Sequence, residues 1–169
     1  MEYGKTDGGV LMPQTDIRVG GIWSGQHIRN GHVIDEWQDH NLVVNEGLDA
    51  LLNIMFHGST QISTWYIGVF EGNYTPIATV TAATITAAST ESTAYDEAAA
   101  SSQSITNSAS KATFTFNATK TIYGAFLVSA SAKSATTGTL FSAAKFSSSK
   151  SVVDDDQLLL TYTFTASSV

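Results

Sequence analysis

The chain has 169 residues, no cysteine, a formal net charge of −7 and only 14% charged residues. That length suits one domain with at most a short arm, and the missing thiols exclude disulfide frameworks, thiolate nucleophiles and thiolate metal sites. Eight Lys plus Arg without a cluster argue against neutralising a phosphate backbone, and no apolar run approaches the ~20 residues of a membrane span, so neither nucleic acid nor membrane is expected as a partner.

Residues 1–16 are polar, contain glycines and Pro13, and read as a flexible N-terminal arm, with Tyr3, Val10 and Leu11 as candidate partner contacts. The arm lacks the apolar segment of a secretion signal, so synthesis in a cytoplasm is expected. Residues 17–169 read as a single domain. Two strand-like runs, 16–29 and 32–40, flank Asn30-Gly31, a pair suited to a type I′ turn because both positions accept positive φ. Trp23 and Trp37 then fall on the two arms of a hairpin, placed to meet as a cross-strand aromatic pair.

A helix is expected at about 45–57. Asn45 is its candidate N-cap, and Glu46 suits the positive helix end. Leu48, Leu51, Leu52 and Met55 recur at i, i+3, i+4 and i+7 as one apolar stripe, and Gly58 stands where a closing glycine belongs. Residues 65–70, including Trp65, Tyr66 and Gly68, form a strand with too little polarity for a solvated face, so it is expected to be buried on both sides. The segment Asn73-Tyr-Thr-Pro76 breaks it.

From 77 to 110 the chain is rich in Ala, Ser and Thr and reads as a long surface excursion, with Tyr74 before it and Tyr95 within it as further candidate partner contacts. Strand periodicity returns at 111–117, where Ala112, Phe114 and Phe116 share a face, and again at 121–130, 139–146 and 157–165. In the last, Leu158, Leu160, Tyr162 and Phe164 alternate with Leu159 and threonines, an inward and outward pattern. The sum is an all-β fold, a β-sandwich or jelly-roll-like barrel with one short α-helix.

Chemistry-bearing residues are sparse. His27, His32, His40 and His57 lack metal-ligand spacing and read as structural or solvated, although His27 and His32 flank the hairpin turn. Asp154-Asp155-Asp156 lacks the spaced acids and distal glutamate of a calcium loop and reads as a solvated turn. The adjacent acids Asp35-Glu36 and Asp96-Glu97 would point to opposite faces of a strand, so neither forms a catalytic pair by itself. No nucleophile elbow, phosphate loop or dinucleotide fingerprint is present. Tyr74, Tyr95, Tyr123 and the three tryptophans suit packing better than a sugar-binding face. No catalytic residue, metal ligand or cofactor is nominated, and no enzyme is expected.

Read in order, Asn41-Leu-Val-Val-Asn-Glu-Gly-Leu with Leu51-Leu52, then Trp65-Tyr-Ile-Gly-Val-Phe, then Tyr74-Thr-Pro76, resemble a family of small virion proteins of tailed bacteriophages. Glu91, Tyr95-Asp-Glu, Ile122-Tyr-Gly-Ala-Phe-Leu and Leu158-Leu-Leu-Thr-Tyr-Thr-Phe continue the likeness, which spans most of residues 17–166. The motif residues that carry it are Asn45, Leu48, Leu51, Leu52, Trp65, Tyr66, Gly68 and Pro76. The Ala/Ser stretch 98–110 departs from the pattern, in which more charged residues are expected.

The resemblance implies a non-enzymatic particle component on the virion surface, foremost a capsid decoration (cement) protein bound to the major capsid protein as a homo-oligomer, dimer or trimer. The alternatives are a tail or fibre-attachment component bound to tail proteins, and a virion-surface carbohydrate-binding module.

Overall fold

The computed structural model describes residues 3–5, 11–13, 16–85, 89–133 and 136–168. Two short strands, β1 (Tyr3–Lys5) and β2 (Leu11–Pro13), pair with each other in the N-terminal segment. The expected arm falls largely outside the described residues, as does Val10, while Tyr3 and Leu11 are described only through their backbones.

The long hairpin forms as the sequence predicts. Strands β3 (Ile17–Arg29) and β4 (His32–His40) are joined by Asn30 at φ 51° and Gly31 at φ 77°, the two positive angles of a type I′ turn. The expected pairing of Trp23 with Trp37 does not. The two-residue turn pairs Arg29 with His32, a register that already carries Trp23 past Trp37 to Gln38. An extra residue, Ile34, bulges from β4 between the Ile28–Val33 and His27–Asp35 pairs and shifts it by one more. Trp23 therefore stands opposite Asp39, and Trp37 opposite Gly25. Trp37 lies directly over Gly25, where a Cβ would collide with its indole ring, and its own neighbour is Phe146, 5.3 Å away edge to face.

After β5 (Leu42–Val43) comes α1 (Asn45–Phe56), then β6 (Tyr66–Phe70). The segment expected as a bare surface excursion holds a single helical turn, α2 (Ala82–Ile85), and two strands, β7 (Ser89–Ala94) and β8 (Ser104–Thr106). The second helical element was not expected, since four residues carry too little periodicity to read. Strands β9 (Ala112–Thr115), β10 (Lys120–Val128), β11 (Leu140–Val152) and β12 (Gln157–Ser168) complete the chain. Ala112, Phe114 and Phe116 point inward together, and Leu158, Leu160 and Tyr162 are fully buried while Leu159 and Thr161 are only half so.

The architecture is all-β, two antiparallel sheets in a sandwich. One sheet runs β5-β11-β10-β6-β7 and the other β4-β3-β12-β8, with β9 also on β12. Between them lies a core that includes Trp23, Ile67, Phe114, Leu127, Leu158 and Leu160. Side chains close one flank, where Asp39 accepts a hydrogen bond from the Ser147 amide at 3.0 Å and Lys150 reaches Asp35 at 2.8 Å. Lys150 is buried and also sits 4.2 Å from the Trp37 ring centre, so its stem and charge both have partners.

The first sheet is covered on its outer face too. Val80, Ala82 and Ile85 pack on Phe70, Phe126 and Val128 in a second core. This explains the unbroken apolar runs of β6 and β10, which a sheet with one solvated face would not tolerate. Two glycines make the arrangement possible. The Phe126 ring lies on Gly68 and the Phe70 ring on Gly124, each aromatic directly opposite its glycine in the register.

Candidate interaction surface

Helix α1 is where expectation and structure differ most. Its N-cap is Val44, with no side-chain cap; Asn45 is the first helical residue, and its amide donates to the Ala78 carbonyl at 2.8 Å. A neighbouring chain segment thus satisfies a helix-end donor that a capping side chain would otherwise take. The Glu46 carboxylate also works between elements, accepting from the amides of Ala82 at 3.1 Å and Leu140 at 3.0 Å. It holds the helix against both α2 and the start of β11. Gly58, at φ 72°, ends the helix as expected.

The buried face of α1 is not the leucine stripe. Gly47 is the fully buried residue, because the backbone of Phe141 lies on it too closely for any Cβ. One turn spacing then places Ala50, Leu51 and Ile54 on the same inner side, leaving Leu52, Met55 and Phe56 outside at 55%, 65% and 78% exposure. Leu48 is half-buried at the margin. The helix therefore presents one apolar face inward and a second outward, the latter flanked by the exposed Asn45, Asp49 and His57. An outward apolar face on a hydroxyl-rich, weakly charged surface is a feature that water disfavours.

Of the other expected residues, Tyr74 is exposed in the loop after β6, Pro76 beside it is half-buried, and Ile77 is exposed. Trp65 and Tyr66 are half-buried, with Trp65 edge-on to Phe141 at 5.6 Å. Tyr95 does not serve as a surface contact. It is 7% exposed, and its hydroxyl donates to the Tyr162 carbonyl at 3.1 Å. A tyrosine among small polar residues gives no sequence sign of which way its ring turns.

The triple aspartate is only partly a solvated turn. Asp155 takes φ 64° in the turn, but Asp156 is 1% exposed and collects four hydrogen bonds. Arg29 donates from Nε at 2.8 Å and Nη2 at 2.6 Å, the Val153 amide at 2.8 Å, and His27 Nε2 lies at 2.8 Å. The Arg29 guanidinium outweighs burial and holds the Asp156 carboxyl well below the usual carboxylate range. His27 is thus a structural residue and turns inward, while His32 is exposed. Asp35 and Glu36 do face opposite ways, one to Lys150 and one to Gln26. Among the described residues no three of His, Asp and Glu gather where they could hold a metal ion.

The two core tyrosines are neutral donors and acceptors at any ordinary pH. Burial pushes both phenols up, and in Tyr95 the neighbouring Tyr162 and Glu97 act in the same direction. Comparison with known protein families finds no family model that matches the chain, and no curated protein matches its sequence.

Proposed function

We propose that this chain is a non-enzymatic structural component of a tailed-bacteriophage particle, acting foremost as a capsid decoration protein that seats on the head shell. The observation that carries the reading is the outward face of α1, where Leu52, Met55 and Phe56 stand exposed together on one helix of an acidic, hydroxyl-rich chain. The helix also contains Leu48, Leu51 and Leu52, three of the residues on which the resemblance to the virion family rests.

The physical logic suits reversible storage and then binding. A patch of three or four apolar side chains stays within what a free protein tolerates, and the charge of −7 keeps free copies apart. On a shell the same patch is repeated at every symmetry-related site, so modest contacts act together. The rigid sandwich behind α1, fastened by Glu46, loses little conformational freedom on binding. The partner is then the major capsid protein, and the residues in contact are Leu52, Met55 and Phe56.

The test is co-sedimentation of the purified chain with head shells stripped of it. Wild-type protein is expected to bind saturably, and Phe56→Ser to bind about tenfold to hundredfold more weakly, as for an aromatic at the centre of an interface. Failure of the wild-type chain to bind shells contradicts the reading. Equal binding by Phe56→Ser removes α1 from the contact.

A further inference from the structure

Beneath α1, at the end of the sandwich, the two sheets separate around an open cleft of about 290 Å³. We propose that this cleft is a binding site for an organic cation with an apolar body, such as a substituted trimethylammonium. The inference is independent of the particle role, since it rests on the inner side of α1 and not on its outward face.

Aromatic rings make up much of the wall. Trp65, Phe141 and Phe164 meet edge to face in series, at 5.6 and 5.1 Å between centroids, with Trp65 and Phe164 part-exposed, while Tyr95 and Tyr162, 6.0 Å apart, lie buried beneath them. Neither tyrosine offers its hydroxyl to a guest. That of Tyr95 is donated to a backbone carbonyl, and that of Tyr162 accepts from the Asn41 amide at 2.8 Å. Leu51 and Ile54 of α1 close the roof with aliphatic carbon.

The mouth supplies the polarity. Gln61, Ser63 and Glu97 line it, all three are exposed, and among the described residues none of their side chains has a hydrogen bond or ion pair. Among the described residues no basic side chain lines the cleft. Its charge there is of one sign, one carboxylate beside the part-exposed rings of Trp65 and Phe164. That combination attracts a weakly hydrated cation and repels carboxylates and phosphates.

Size and chemistry narrow the guest further. At the packing density of organic crystals the volume holds on the order of a dozen non-hydrogen atoms. A sugar ring of that size needs hydrogen-bond partners all round, and here the free polar side chains lie at the mouth alone. A neutral hydrocarbon fits the walls but leaves Glu97 unused.

The experiment is calorimetric titration of the full chain with benzyltrimethylammonium, its neutral carbon isostere neopentylbenzene, and phenylacetate. Glu97→Gln serves as the decisive variant, because Glu97 is exposed and unbonded and its replacement leaves the fold intact. Saturable binding of the cation, about tenfold weaker binding of the isostere, no binding of the anion, and about a tenfold loss in Glu97→Gln are expected. Equal binding of cation and isostere with no effect of Glu97→Gln overturns the assignment in favour of a merely apolar cleft. Absence of saturable cation binding at roughly 1 mM probe overturns it outright.

Discussion

Replacing Asp156 by alanine tests the polar clamp that ties the β3–β4 hairpin to the β11–β12 turn. The substitution removes all four hydrogen bonds to the carboxylate. Arg29, whose side chain is 37% exposed, turns to water and contributes little to the loss. His27 cannot follow, because it is 4% exposed and its Nε2 is left facing a void. One buried polar group without a partner, plus a lost charge-assisted bond to the Val153 amide, costs about 2–4 kcal/mol in total. For a chain of this size that corresponds to a fall in Tm of about 5–15 °C. The loss must also depend on pH in one direction. A carboxyl held below its ordinary range contributes stability above about pH 4, and that contribution disappears as pH falls toward the folded-state pKa. Urea unfolding of both proteins between pH 7 and pH 2 is the assay. The difference should be largest at neutral pH and shrink below about pH 4. A loss under about 1 kcal/mol at pH 7, or one that does not change with acid, refutes the account of Asp156.

Gly25→Val should destabilise by about 1–3 kcal/mol in chemical denaturation, because any Cβ there collides with a Trp37 ring already held by Phe146 and Lys150. Gly31→Ala should cost about 1 kcal/mol by forcing a side chain into a φ of 77°, with the mid-strand pairing seen by hydrogen exchange unchanged. Phe56→Ser should leave Tm within about 2 °C of wild type, since a residue 78% exposed contributes little to the fold. A large drop in Tm for Phe56→Ser would mean that the residue packs inward.

What was legible in the sequence was local. Asn30-Gly31 announces its turn because two adjacent positive φ angles suit few other pairs. The final strand announces its faces because Leu158, Leu160 and Tyr162 alternate with weaker apolar and polar residues, and sandwich geometry needs that period. The buried nature of residues 66–70 was also readable, but its cause was not. The covering segment around Val80 and Ile85 is small-residue chain with no strong period of its own.

Failures trace to non-local packing. The leucine stripe of α1 misled because its true inner face begins at Gly47, which has no hydropathy signal and is chosen for the close backbone of Phe141. Once that face is known, Leu52, Met55 and Phe56 must point outward, so the candidate surface becomes visible only in the folded chain. The tryptophan pairing fails on the register of the two-residue turn, which sets Trp23 against Gln38. The Ile34 bulge, which nothing in an alternating sequence marks in advance, moves it on to Asp39. The Asp156 clamp joins residues 127 and 129 positions apart, a pairing that topology alone creates. The cleft beneath α1 likewise gathers Trp65, Tyr95, Phe141 and Phe164 from four separate stretches of chain.

The central claim, that this chain decorates a head shell, is tested most directly by its copy number in purified particles relative to the major capsid protein, by quantitative mass spectrometry. The account predicts a ratio set by the shell lattice, with the protein present at a large, fixed fraction of the capsid protein. A handful of copies per particle would place it at the tail or portal end and contradict the decoration role, and absence from particles would contradict the phage reading altogether.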